Sequence, residues 1–169
     1  MPHLEPCPCT PPCRMSLKVV VPITIFDHFL QVDSSLDSSK TCALVVGINA
    51  YEHLAPLKNC VQDAAEVEKA LRKVGVKRLT SASDCTYKQL TDKTNEFLAQ
   101  LREGDVALVY LATHAAMYRN QNVVLATDST KTNMAETSLP MQLLLAQYAS
   151  CPAARTGTHA NLSSYSLMS

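Results

Sequence analysis

The stretch TCALVVGIN, Thr41–Asn49, decides the fold. It is a continuous apolar run closed by Gly-Ile-Asn, which is typical of a strand buried on both faces of a parallel sheet. A second such run, DVALVYLA, spans Asp105–Ala112. Between the two runs, amphipathic helices are predicted at Asn59–Val74 and Asp84–Arg102, on either side of a short strand at Val76–Ser81. This alternation predicts right-handed βαβ units and a parallel sheet with helices on both faces.

Weaker patterns flank these elements. Asn122–Ala126 is predicted to be a fourth, shorter strand, and Leu139–Tyr148 a third helix with Pro140 at its first position, where proline is tolerated. Near the amino terminus, Val19–Val32 fits either one strand or a short helix. The first thirteen residues hold five prolines and three cysteines, and DSSLDSSK (33–40) is polar. These patterns divide the chain into an irregular extension and linker (1–40), a folded domain (41–149) and an irregular tail (150–169).

Charge and cysteine content narrow the class of protein. Lysine plus arginine equals aspartate plus glutamate at 15 each, without a long run of one sign. We therefore expect no nucleic-acid partner. No segment reaches the roughly 18 apolar residues of a membrane span, so no membrane partner is expected either. The seven cysteines are odd in number and irregularly spaced, and Cys42 lies inside an apolar run. Reduced, buried thiols of this kind favour a cytoplasmic protein.

In a parallel sheet, ligands bind at the carboxyl ends of the strands. Two loops are expected there, one following Gly47 and one opening at His114. A histidine at a strand end can act as general acid or base near neutral pH. It can equally be a hydrogen-bonded histidine without a chemical role, and its position alone does not separate these readings.

Three blocks together resemble the first half of a caspase-like, metacaspase-type cysteine peptidase domain. The string ALVVGINAYEHLAPLKNCVQDAAEVEKALRKVGV resembles its opening strand and helix, REGDVALVYLATHA its Gly-Asp strand ending at the histidine motif, and NVVLATDST its hairpin strand. The blocks occur in the family's order. The resemblance implies an α/β caspase-like three-layer sandwich with a mostly parallel sheet that is incomplete at its carboxyl end, because the strand carrying the catalytic cysteine is expected further along.

The resemblance also implies roles for individual residues. His114 corresponds to the histidine of a Cys–His dyad, in which a thiolate attacks the peptide carbonyl and the histidine protonates the leaving amine. The backbone N–H of Ala115 corresponds to an oxyanion donor. Asp63 corresponds to an acidic residue that helps to line a pocket for a substrate Arg or Lys, although an aspartate in a first helical turn also stabilises the helix dipole. No acidic cluster for calcium is visible, so neither a metal nor another cofactor is expected.

The chain departs from the family pattern at three places. Ala115 replaces a glycine, and Ala112-Thr113 replace a Ser-Gly pair whose hydroxyl faces the substrate pocket. The nucleophile is absent from its expected setting. Cys151, in YASCPAAR, follows neither an acidic residue nor an apolar strand. Cys60 is expected in the first turn of a helix, where the dipole can lower a thiol pKa, but a structural thiol fits that position as well.

Three hypotheses follow. The first is a caspase-like cysteine endopeptidase that acts on protein or peptide substrates through His114. The second is a catalytically inactive homologue or fragment that serves as an interaction module, with a partner chain that completes the sheet. The third is an unrelated doubly wound module of the receiver type. This last class requires an acidic pair after the first strand, and Gly47-Ile48-Asn49 supplies none, so it ranks last.

Overall fold

Two buried strands form the centre of a parallel sheet. The computed structural model describes residues 37–142 and, as backbone alone, residues 16–20. Strands β1 (Ser16–Val20), β2 (Thr41–Gly47), β3 (Arg78–Ser83) and β4 (Val106–Ala112) pair in the order β1-β4-β2-β3, and all three pairs are parallel. Every residue of β2 is buried, as its apolar sequence predicts.

Among residues 37–142, one long helix lies on each face of the sheet, which gives three layers. Helix α1 (Cys60–Lys73) packs on the face that includes Ala43 and Val45 of β2, and helix α2 (Tyr87–Gln100) packs on the face that includes Leu44 and Val46. Successive side chains of a strand point to opposite faces, so a wholly apolar strand is what such a sandwich requires. The predicted α/β fold with a parallel sheet and helices is confirmed.

A second, smaller sheet follows β4. Strands β5 (Ala115–Tyr118), β6 (Gln121–Leu125) and β7 (Ser138–Pro140) form an antiparallel sheet in the order β5-β6-β7, and the short helix α3 (Met134–Thr137) precedes β7. Its buried residues Val123, Leu125 and Leu139 join the core on the α2 side of the large sheet. The strand predicted at 122–126 is therefore present, but it belongs to this sheet and not to the parallel one.

Two predictions outside the central elements need correction. The third helix was predicted to begin at Leu139, but Leu139 pairs with Val124 and Pro140 with Val123 in β7, and helical backbone begins only at Met141. Strand pairing overrides the helical spacing here, and proline is tolerated on an edge strand. Residues 143–148 of that predicted helix lie outside the described residues. At the amino terminus, the parallel sheet gains β1, which overlaps the predicted strand-or-helix segment only at Val19 and Val20; residues 21–36 lie outside the described residues.

The helix ends are set by local hydrogen bonds. Helix α2 begins at a capping box, in which the Thr86 hydroxyl accepts from the Gln89 N–H and the Gln89 side chain accepts from the Thr86 N–H. Helix α1 ends before Gly75, whose φ of +93° is the left-handed conformation expected of a glycine after a helix. Asn59 precedes α1 as predicted but makes no capping bond with its side chain. Asn49 substitutes for it, because its Oδ1 accepts from the Val61 N–H at 3.3 Å.

Gly47, the last residue of β2, lies directly against the start of α1. A Cβ atom at this position would approach the Cys60 carbonyl oxygen and lie 2.8 Å from the Cβ of Ala64. A side chain of any size would therefore push the first turn of α1 away from the sheet. The glycine allows α1 to pack closely over the carboxyl end of β2.

A buried ion pair fixes the opposite, amino end of the sheet. Asp105, just before β4, is 3% exposed and receives both terminal nitrogens of Arg78, one at 2.6 Å from Oδ1. Asp105 Oδ2 also accepts from the Arg102 N–H at 2.6 Å, and Arg78 donates to the carbonyls of Gln100 and Ser39. The pair thus joins β3, β4, the end of α2 and the turn before β2.

Replacing Arg78 by Gln should lower the free energy of unfolding by about 3 kcal/mol, because it leaves a buried carboxylate without its counter-charge. Arg72→Gln is the matched control. Arg72 pairs with Glu68 at 2.7 Å on the exposed side of α1, and loss of such a surface pair should cost less than about 1 kcal/mol. Urea denaturation of both variants measures the difference. Equal losses would show that the buried pair does not hold the amino end of the sheet.

Candidate active site

The loop of residues 48–58 crosses the carboxyl edge of the parallel sheet. Its first residue, Ile48, donates its N–H to the Ala112 carbonyl at the end of β4 at 2.9 Å. Further along, the Glu52 N–H donates to the Thr127 carbonyl and the Leu57 N–H to the Asn49 carbonyl, both at 2.9 Å. These backbone bonds hold the loop over the point where β4 leaves the large sheet and the second sheet begins.

The hydroxyl of Tyr51 is inserted into the backbone ladder of the second sheet. The Leu125 N–H donates to the His114 carbonyl at 3.0 Å. In an antiparallel ladder the reciprocal bond would run from the His114 N–H to the Leu125 carbonyl. Here the His114 N–H donates to the Tyr51 oxygen at 2.8 Å, and the Tyr51 O–H donates to the Leu125 carbonyl at 3.4 Å. Tyr51 is buried, and burial raises its pKa, so the phenol keeps the proton that this bridge needs.

The imidazole of His114 is oriented by the same loop. Its Nε2 lies 2.9 Å from the Ala55 carbonyl oxygen, and its ring centroid lies 4.7 Å from that of Tyr51 at an interplanar angle of 50°. A carbonyl oxygen only accepts hydrogen bonds, so the contact places a proton on Nε2. In the neutral ring Nδ1 then carries the lone pair that can accept a proton. A histidine held in this way has the orientation that a general acid or base requires.

Ala115 opens strand β5 at the exposed edge of the second sheet. Its partner across the ladder is Val124. Because Leu125 and His114 are joined by a ladder bond, the next residue along β5 directs its N–H away from β6. The N–H of Ala115, the residue next to His114, therefore points outward from the edge of the second sheet. Ala115 does not have a positive φ. The alanine that replaces the family's glycine therefore lies in ordinary extended backbone.

Asp63 lies in the first turn of α1, at the carboxyl edge of the large sheet and on the face that α1 covers. Its negative charge contributes to the raised pKa of Cys60 and, after burial, is the largest contribution at Tyr110. The carboxylate is therefore close to both side chains. Within the described residues it forms no hydrogen bond or ion pair with His114, so the structure places these two predicted site residues on the same edge without joining them.

None of the three described cysteines is poised as a nucleophile. Cys42 lies near the amino end of β2, away from His114, and burial raises its pKa to about 11. Cys85 and Cys60 lie at the carboxyl edge, where burial raises the pKa of Cys85 to about 11 and that of Cys60 as well. Among residues 37–142, no cysteine hydrogen-bonds His114. Burial and the nearby Asp63 carboxylate raise the pKa of Cys60, which agrees with a structural thiol at this position. Cys151 lies outside the described residues.

Groups of three or more His, Cys, Asp or Glu side chains arranged to hold a metal ion do not occur in the described part of the chain. Nor does any helix there have the length and apolar character needed to cross a bilayer. Within the described residues, the candidate site is built from the imidazole of His114, the Tyr51 hydroxyl and backbone groups.

Comparison with models of protein families identifies the domain. Residues 40–149 match the family model described as the caspase domain. The chain belongs to the caspase-domain family. The relation confirms the resemblance found in the sequence and indicates a cysteine-peptidase type of proteolytic function, with proteins as the class of substrate. A comparison with curated proteins finds no match.

The sequence did not reveal the groups that orient His114 in this caspase domain. The acceptor of its ring proton is the main-chain carbonyl of Ala55, and a main-chain carbonyl leaves no mark in a sequence. Tyr51 was visible as part of the opening motif, but nothing indicated that its hydroxyl reaches a strand end that begins 63 residues later. The available signal was a tyrosine in the loop after a buried strand. If its ring is buried, its hydroxyl needs a hydrogen-bond partner.

Replacing Tyr51 by Phe should expose the role of the hydroxyl bridge. The His114 N–H and the Leu125 carbonyl would both lose their partner, which should cost about 1–3 kcal/mol of stability and speed amide exchange at His114. Hydrogen exchange followed by NMR measures this. Tyr118→Phe is the matched control, because Tyr118 lies on β5 and stacks with Arg119. Unchanged exchange at His114 in Tyr51→Phe would contradict the bridge.

The buried thiols predict a loss of stability in alkaline solution. The pKa values of Cys42 and Cys85 rise from near 9 to about 11 on folding. Their contribution to stability is therefore complete below pH 9 and is lost as the pH rises toward 11, because only the unfolded chain ionises in that interval. The urea midpoint should fall over this range, and it should fall less in the double variant Cys42→Ala, Cys85→Ala. An equal fall of the urea midpoint with pH in the wild type and the double variant would contradict the raised pKa values of the two thiols.

Proposed function

We propose that this caspase domain is a cysteine-type endopeptidase domain acting in proteolysis, with His114 as the histidine of the dyad. The observation that carries the proposal is the hydrogen bond from His114 Nε2 to the Ala55 carbonyl. It leaves Nδ1 free to take a proton from a thiol. An imidazole with one nitrogen tied to an acceptor and the other open is the arrangement in which a base is oriented by a third group.

The proposed reaction uses these groups in order. Nδ1 of His114 accepts the thiol proton, and the thiolate attacks the carbonyl carbon of the scissile peptide bond. The oxygen that becomes negative is held by the N–H of Ala115, which points away from the sheet beside His114. His114 then returns the proton to the leaving amine as the carbon–nitrogen bond breaks. Water hydrolyses the resulting thioester and restores the thiol.

We further propose that Asp63 contributes to the binding of a basic side chain on the amino side of the scissile bond. Asp63 is half-buried at the carboxyl edge, close to Tyr110 on β4, the strand that leads to His114. A carboxylate at this depth favours a guanidinium or ammonium group over an acidic one. The free thiols Cys42, Cys60 and Cys85 are compatible with a reducing compartment, and we place the protein in the cytoplasm.

The source of the nucleophile separates this proposal from its alternative. The thiol comes either from a residue outside 37–142, such as Cys151, or from a partner chain that adds strands to the sheet. In the alternative, the chain is a catalytically inactive homologue or fragment that acts as an interaction module. Neither Cys60 nor Cys85, the described thiols at the carboxyl edge of the sheet, hydrogen-bonds His114, and this favours that alternative.

Covalent labelling tests the proposal. The full chain is treated with a peptidyl chloromethyl ketone bearing Arg at the position before the reactive carbon, with and without calcium, and intact mass is recorded. We expect one adduct on a single cysteine, formed at least about 100-fold more slowly in His114→Ala, because the base that generates the thiolate is lost. A reagent with Asp in place of Arg should label more slowly.

His53→Ala is the control for this experiment, because His53 lies in the same loop with its imidazole exposed to solvent. It should label at the wild-type rate. Labelling that does not depend on His114 would contradict the proposed dyad. Absence of any adduct on a folded chain would support the interaction module, and co-purification with a second chain would then be sought.

A further inference from the structure

Asp84 binds the start of the loop that carries Tyr51 and Ala55. It follows β3 directly, and its own N–H donates to the Gly47 carbonyl at 3.0 Å. Its Oδ1 accepts from two consecutive backbone N–H groups, that of Asn49 at 2.7 Å and that of Ala50 at 2.9 Å. Hydrogen bonds from amides to a carboxylate are stronger than those between neutral groups. One oxygen therefore fixes the direction in which the chain leaves β2.

The turn held by Asp84 immediately precedes the groups that orient His114. Tyr51 is the next residue after Ala50, and its hydroxyl receives the His114 N–H. The Ala55 carbonyl that receives the ring proton lies four residues further along. The Asn49 side chain also bonds to Val61 and Lys58, beyond the far end of the loop and at its last residue. The bonds at Ile48, Glu52 and Leu57 run from backbone to backbone. Asp84 lies outside the loop. Substituting it can therefore loosen the loop without changing any residue of the loop itself.

We propose that Asp84 is a positioning residue for His114, because its carboxylate fixes the Asn49–Ala50 turn and thereby the Tyr51 hydroxyl and Ala55 carbonyl that orient the imidazole. Asp84 touches neither the ring nor the expected site of the substrate. The importance of that orientation for cleavage rests on the proposed function. The orientation itself is a physical property of the folded chain and can be measured without any activity.

A simpler role for Asp84 makes a different prediction. Asp84 has a φ of +44°, and Asp, Asn and Gly are the residues that accept the left-handed conformation best. If the backbone conformation were the only requirement, Gly would serve as well as Asn. If the proposal is correct, Asn can replace Asp84 because its amide oxygen still accepts from the turn, whereas Gly cannot because it has no acceptor.

The test compares full-length Asp84→Gly with full-length Asp84→Asn by NMR. The readout is the exchange of the His114 Nε2 proton with water, which is slow only while that proton is held by the Ala55 carbonyl. We expect exchange about tenfold faster in Asp84→Gly, as the loop opens locally, and within about twofold of wild type in Asp84→Asn. Equal exchange in the two variants would overturn the proposal.

A measurement on the wild-type chain keeps the test decisive if Asp84→Gly does not fold. Asn49 is half-buried and Ala50 is exposed, so slow exchange of their amide protons requires a hydrogen-bond acceptor and not burial. Both should exchange at least about tenfold more slowly than an unbonded amide. Unprotected exchange at both positions would overturn the proposal. These results are independent of covalent labelling, so an inactive chain with an ordered His114 would refute the proposed function and leave the role of Asp84 intact.

Discussion

The hydroxyl of Tyr51 occupies the place of a backbone hydrogen bond, and the candidate site depends on that substitution. It accepts the His114 N–H and donates to the Leu125 carbonyl, so a side chain from the loop after β2 becomes part of the ladder between β5 and β6. A buried N–H or carbonyl without a partner costs about 1–3 kcal/mol. The loop must therefore remain in place whenever the second sheet is formed, and the same loop supplies the carbonyl that holds the imidazole of His114. The position of the histidine therefore depends on the contact between the loop at the end of the large sheet and the strands β5 and β6 of the second sheet.

The two ends of the parallel sheet are stabilised by different means. At the amino end, Arg78 and Asp105 form a bidentate ion pair whose other hydrogen bonds are also satisfied. At the carboxyl end, the described contacts are mostly backbone bonds and a neutral hydroxyl, with the Asp84 carboxylate bound to amides at the start of the loop. The most buried ion pair of the described residues therefore lies at the end of the sheet opposite His114.

The fold could be predicted from the sequence because its central elements carry strong local patterns. Strands β2 and β4 are apolar throughout, and α1 and α2 have apolar stripes that fix both their type and their order. The elements that were placed wrongly depend on distant partners. The strand at Gln121–Leu125 joins a separate sheet because it pairs with β5 and β7, and Leu139 extends because Val124 lies beside it. At the site, the motif around His114 was visible, but its orienting groups are a main-chain carbonyl and a hydroxyl from residues far away in sequence.

The chain belongs to the caspase-domain family, and the proposed dyad chemistry rests on the orientation of His114. The central structural claim is that the loop of residues 48–58 makes the two sheets one cooperative unit with His114 between them. Native-state hydrogen exchange at increasing urea tests it most directly. The reporters are the amides of Val109 in β4 and of Leu125 in β6, whose N–H donates to the His114 carbonyl. Both amides should reach the same opening free energy, because β6 cannot separate while Tyr51 bridges it to the end of β4. If Leu125 instead opens at a lower free energy while Val109 remains protected, the second sheet moves independently and the loop does not fix the histidine.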